Sequence, residues 1–210
     1  FVLMNEEQKR ILLKVSELYT KYGIKSITMD DVARELGISK KTLYQFVSDK
    51  NELVGKFIDL EIEIKQKEIC NCFKQNLNAI EGLFEISHFM NRTMKEQNPS
   101  VEYDLKKYYP EHYQKILKAR RDGMYKYILL NLEQGIAEGF YRKELNVDII
   151  AKLHLFRLEN TFLSDIFSSD EANSPEIFNE IFIYHIRGIS NEKGIKFLEQ
   201  KIKELENNNI

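Results

Sequence analysis

The chain has no tryptophan, only two cysteines and three prolines among 210 residues, and a formal net charge of just −2. Each scarcity excludes something. Cys70 and Cys72 fall on different sides of any helix that contains them. They cannot make a disulfide framework or a recognisable zinc site, and free thiols in a reducing compartment are expected. No run approaches the roughly 18 continuous apolar residues of a membrane span. FVLM gives way at once to NEEQKR, too short and too acidic for a secretory leader. Met4 is the expected natural start, with Phe1 to Leu3 ahead of it, and the protein is expected to be cytoplasmic. Glycine-rich phosphate loops, nucleophile elbows and HExxH are also missing, so no enzyme and no cofactor are expected. The histidines, His88, His112, His154 and His185, lie far apart in the sequence. No metal is expected.

The small net charge rules out a generally basic coat. Up to Asn51 there are nine Lys/Arg against seven Asp/Glu, and beyond it 22 against 26. A split of +2 against −4 is slight, so any nucleic-acid footprint must be a local patch. What is present is helical period, with 43% hydrophobic and 30% charged residues and no strand-turn-strand pattern. The expected fold is all-α: a three-helix head over residues 1–50 and a larger helical body over 51–210. Ile11, Leu12, Val15, Leu18, Tyr19 and Tyr22 stripe the first helix, which Gly23 closes. A long helix starts near Lys50, and its partner covers Asn78 to Glu96. A break at Asn98-Pro99-Ser100 precedes a short helix to Tyr108. Pro110 opens a long one to Ala137, and Val147–Phe167 forms another. After a polar loop, Pro175 suits a first helical turn, and helices continue to the Asn-rich tail.

The most specific segment is ITMDDVARELGISKKTLYQFVSDKNEL, from Ile27 to Leu53. Thr28 and Asp31 form a carboxylate variant of the capping box. Val32, Ala33 and Leu36 make an apolar face, and Gly37 suits a left-handed helix end. Ser39 can cap the next helix, where Leu43, Phe46 and Val47 turn inward. Ser48 or Asp49 caps a further one. Lys40, Lys41, Thr42, Tyr44 and Gln45 are left outside. Lysine can neutralise phosphate or reach guanine, and Gln45 matches the donor and acceptor pair of adenine. Thr42 and Tyr44 suit phosphate oxygens, and Lys50 can hold another phosphate. Two short helices joined this way are how a protein lays a recognition helix in the major groove.

At these residues the chain resembles the TetR family of bacterial repressors. The likeness rests on Leu18-Tyr19 with Gly23, on TMDDVARELGISKKTLY, and on Asp49-Lys50-Asn51-Glu52-Leu53. It covers residues 6–55. It implies a homodimer whose body senses a small-molecule effector and whose heads grip a palindromic operator in double-stranded DNA. Thr28, Lys41, Thr42, Tyr44 and Lys50 correspond to backbone contacts, Lys40 and Gln45 lie nearer the bases, and Ser39 completes the DNA-facing set. Phe46, Val47 and Ser48 stand where Tyr or His, Phe, and Lys are usual. The first two bear on packing of the head, and Ser48 removes one phosphate contact.

Two helices near the C-terminus each carry two apolar stripes. Ile149, Leu153, Phe156, Asn160, Leu163 and Phe167 run beside Ile150, His154, Leu158, Phe162 and Ile166. Ile177, Ile181, Tyr184 and Gly188 run beside Phe178, Phe182, His185 and Ile189. Two stripes imply burial on two sides. The expected dimer seam takes Ile150, His154, Leu158, Phe162, Phe178, Phe182, His185 and Ile189. Aromatics crowd the middle of the body, and His88, Tyr103, Arg120, Tyr125 and Asn131 are the candidate effector ligands. The expected function is a DNA-binding transcriptional repressor released by a small molecule. A helical protein-interaction module, or an all-α enzyme, is the alternative.

Overall fold

The computed structural model describes residues 6–73, 76–96, 98–161, 166–168, 171 and 174–208. The described residues form helices throughout: α1 (Glu6–Tyr22), α2 (Met29–Leu36), α3 (Lys40–Phe46), α4 (Lys50–Phe73), α5 (Ala79–Glu96), α6 (Pro99–Tyr108), α7 (Pro110–Ala137), α8 (Val147–Thr161), α9 (Pro175–Ile189) and α10 (Glu192–Asn208). The fold class is all-α. An isolated antiparallel bridge joins Tyr141 to Ser190. Local chemistry explains most boundaries. Asn98 and Ser174 cap α6 and α9, each followed by proline in the first turn. One boundary differs from expectation. Ile166 and Phe167 lie in a turn and a bend, so the helix from Val147 does not reach Phe167. The Asn160 and Thr161 side chains donate to the carbonyls of Phe156 and Arg157 near the end of α8. Apolar spacing continues past that point, so periodicity alone overruns it.

Two compact units emerge, one of residues up to 68 with 96–120, the other of 69–95 with residues from 121 onward. The first unit is larger than the 1–50 head expected. Val54, Phe57, Ile58 and Leu60 of α4 share its core with Leu105 of α6 and Ile116 of α7. From α1 come Ile11, Leu12, Val15, Leu18 and Tyr19, with the Tyr19 ring set edge-on to Phe57 at 5.3 Å. Tyr22 leaves the expected stripe and is 51% exposed beneath Lys21.

In the second unit, α5, α7, α8, α9 and α10 share a core that includes Ile80, Leu83, Leu132, Leu155, Phe182 and Leu198. At its centre Tyr141 is fully buried and donates to Asn131, which donates in turn to the Ala79 carbonyl at 2.7 Å. Gly135 makes room for that ring, since a Cβ there would stand 2.1 Å from it. Leu158, Phe182 and Ile189 are buried in this same core. His154 and His185, distant in sequence, stack at 3.6 Å because α8 packs on α9. Arg157 lies alongside, 2.9 Å from His154 Nδ1.

Burial, with the nearby Arg157 charge, pushes both imidazoles down from 6.5, His154 to about 2 and His185 to about 3. Below pH 6.5 the unfolded chain therefore takes up protons that the folded unit refuses. Stability should fall as pH drops from about 6.5 towards 3, by at most roughly 1.4 kcal/mol per pH unit for each histidine. Denaturant melts between pH 7 and 4 should show this, and His185→Gln should flatten the dependence. An equal slope in both proteins would contradict the pairing.

Candidate nucleic-acid interface

The interface is built by backbone chemistry. Thr28, in extended backbone, accepts the Asp31 N–H at 3.1 Å, while the Asp31 carboxylate accepts the Thr28 N–H at 2.9 Å. Both halves of the capping box are made, and this bonding holds the Asp31 carboxyl below its usual range. At the other end Gly37 takes φ 66, and the N–H groups of Gly37 and Ile38 donate to Arg34 and Ala33. Ser39 then caps α3 by accepting the Thr42 N–H at 3.0 Å. Leu43 is fully buried and Val47 nearly so, whereas Phe46 is half-buried. Asp49, rather than Ser48, caps α4 by accepting the Glu52 N–H at 2.8 Å. The Glu52 carboxylate returns to the Ser48 N–H and hydroxyl.

Anchoring at Leu43 turns Lys40, Lys41, Thr42, Tyr44 and Gln45 to solvent, with Thr28 and Ser39 exposed at the two caps. Among the described residues, the Lys41, Tyr44 and Gln45 side chains make no hydrogen bond or ion pair within the chain. Three other candidates are engaged. Thr42 Oγ1 lies 2.8 Å from Ser39 Oγ. Lys40 forms an ion pair with Asp30 across the turn. Lys50 is half-buried and reaches the Lys25 carbonyl at 3.4 Å, and its burial lowers its pKa. These internal partners were not legible in the sequence.

This arrangement is shared with known proteins. Residues 11–56 match the model for bacterial regulatory proteins of the tetR family. Over that segment the protein is similar to TetR-family transcriptional regulators. The regulator YvaF of Bacillus subtilis is 35% identical over 102 residues, covering 48% of this chain and about half, 53%, of that protein. The regulator YhgD of the same organism is 26% identical over 202 residues, 89% of this chain and 99% of that one. A transcriptional regulator from Cytophaga hutchinsonii has the same fold, with a TM-score of 0.76 at 15% identity over 89% of this chain and 100% of its own. The matched segment contains the capped turn and α3 described above.

The candidate effector ligands are not brought together. His88 and Arg120 are exposed, as is Tyr103, whose hydroxyl accepts from Lys107. Tyr125 is half-buried and donates to Asp148. Asn131 is buried with both amide ends used, donating to Ala79 and accepting from Tyr141. Its polarity satisfies a core rather than lining a cavity. The seam assignment also needs correction. His154, Leu158, Phe182, His185 and Ile189 are buried within the single chain and Ile150 is half-buried, so they are not a free surface. Phe162 lies outside the described residues, as does the Phe178 side chain. The stripe left open is the other one, with Ile149, Leu153 and Phe156 on α8 at 52%, 59% and 65% exposure and Tyr184 on α9 at 71%. Both stripes are apolar, so their sequence gives no sign of which faces inward.

Replacing Thr28 by alanine removes one half of the box and leaves the Asp31 carboxylate in place. Thermal unfolding of Thr28→Ala should show a loss of about 1 kcal/mol, and Thr28→Ser should recover most of it. Equal stability of the alanine variant would show that this cap does not hold α2.

Proposed function

We propose that the protein is a homodimeric transcriptional repressor that binds a palindromic operator through α3 and is released by a small-molecule effector. The observation that carries this is the solvent-facing row of Lys41, Tyr44 and Gln45, unspent on internal bonds and presented by a helix fixed at its cap and by Leu43. Lys41 and Tyr44 serve as phosphate contacts, and Thr28 and Lys50 extend them on either side. Gln45 reads a base edge, with Lys40 beside it once a DNA acceptor displaces Asp30.

A dimer suits a head of this kind, because paired recognition helices read half-sites one helical turn apart. The exposed stripe of Ile149, Leu153, Phe156 and Tyr184 supplies apolar area for a second copy, whose equivalent helices would complete a four-helix seam. Among the described residues no helix is long and apolar enough to cross a membrane, which accords with a cytoplasmic regulator. An effector lowers DNA affinity only by preferring a state whose heads are wrongly spaced for adjacent major grooves. A coupling of about 1–3 kcal/mol is enough.

Selection of bound fragments from the source genome identifies the operator, which then serves as the probe. The double variant Lys41→Ala/Tyr44→Ala should bind every sequence more weakly and with a shallower salt dependence. Gln45→Ala should instead relax preference at one base position, by about 1–3 kcal/mol of discrimination. Gel shifts unaffected by the double variant would place the DNA face elsewhere. A loss from Gln45→Ala that is equal on all sequences would remove its base-reading role.

A further inference from the structure

Beside the head, the α1–α2 loop and the second half of α6 make a basic, aromatic surface that the recognition helix does not account for. Lys25 Nζ lies 3.7 Å from the centre of the Tyr108 ring. Lys107 Nζ lies 5.4 Å from the same ring and 5.2 Å from that of Tyr103, and donates to the Tyr103 hydroxyl at 2.8 Å. Lys25, Lys106 and Lys107 are all exposed, and so are both rings. The α6 carboxylates are committed elsewhere. Asp104 is buried and accepts the Lys25 backbone N–H at 2.7 Å, and Glu102 accepts from the Tyr113 hydroxyl at 3.1 Å. Among the described residues, no carboxylate forms an ion pair with Lys25, Lys106 or Lys107.

Lys25 is also held in an unusual number of ways for a loop residue. Asp104 takes its N–H, Lys50 donates to its carbonyl, and Tyr108 lies under its ammonium group. A lysine laid on an aromatic face keeps its charge in water while its stem is ordered. Much of the entropy cost of positioning that charge is thus met before any partner arrives. Its location identifies the partner. Lys25 contacts Lys50 and stands three residues before Thr28, the two groups expected to hold phosphates at the edge of the head.

Building on the DNA-binding role above, we propose that Lys25 and Lys107, mounted on Tyr108 and Tyr103, form a second backbone contact that takes phosphates of the same duplex beside those held by Thr28 and Lys50. The surface contributes affinity without reading bases. The phenol hydroxyls add donors to the same oxygens.

The test uses the full chain and a long random-sequence duplex, with binding followed by fluorescence anisotropy across a salt series. Two phosphates at about 0.9 each predict that Lys25→Gln/Lys107→Gln lowers the salt slope by about 1.8, with affinity on the order of tenfold weaker. The matching pair of arginine substitutions should keep the wild-type slope. On the genome-selected operator, the order of preference among base substitutions should not change. Lys107→Gln alone, at an exposed site, gives a slope lower by about 0.9 and serves if the double variant does not fold. An unchanged slope in a folded variant overturns the second contact and leaves the role of α3 standing. Wild-type protein without salt-sensitive DNA binding overturns both.

Discussion

The head depends on a turn of three residues. Gly37, at φ 66, closes α2, and Ser39 opens α3 two residues later. A left-handed residue at that point lets the chain reverse while the N–H groups of Gly37 and Ile38 satisfy the last carbonyls of α2. α3 has seven residues, far below the length at which an isolated helix persists in water. It is held by its cap and by burial of Leu43. Those two anchors also set which of its faces meets solvent, so the positions of Lys41, Tyr44 and Gln45 follow from the turn.

The turn was legible because its parts are close in sequence. Thr28 with Asp31, Gly37, and Ser39 with Thr42 act over three residues or fewer, and each uses a residue type whose chemistry nearly dictates its place. Helix boundaries marked by Asn98-Pro99, Pro110 and Ser174-Pro175 were legible for the same reason. Contacts that span the chain were not. Asn131 resembles a ligand anchor until its partners are known, and these are Ala79 and Tyr141, 52 and 10 residues away. The stripes of α8 and α9 failed differently. Two apolar faces on one helix give the right number of buried sides but not their order, because Leu153 and Leu158 are equally apolar. Packing on α5 and α7 residues buried one set and left Ile149, Leu153 and Phe156 in water.

The same packing brings two histidines into contact that sequence spacing had kept apart. His154 and His185 belong to adjacent helices, and their stacking removes both from water, with no carboxylate among the described residues to favour the charged form. Such a pair is tolerable only while neutral. Its cost appears in acid, in the unit that holds it, and it marks that unit as a core built partly from polar groups. Asn131, Tyr141 and Ser190 are others.

Electrostatics in the head is a matter of exchange rather than excess. With nine basic and seven acidic residues up to Asn51, the head cannot attract a duplex by net charge alone. Several of its lysines are already spoken for: Lys40 by Asp30, Lys50 by the Lys25 carbonyl, Lys25 by Tyr108. Two of these partners are solvent-facing and all three are weak, since exposed ion pairs and cation–aromatic contacts contribute little in water. A phosphate that replaces them therefore gives up little, and the side chain it gains is already ordered. In the proposed complex, the pair with Asp30 would instead be exchanged for a base edge. With that carboxylate still nearby, Lys40 would engage a guanine edge only where the base offered more than Asp30 does. On that proposed reading a lysine restrained in this way would add discrimination, while the unrestrained Lys41 would add affinity to every sequence alike.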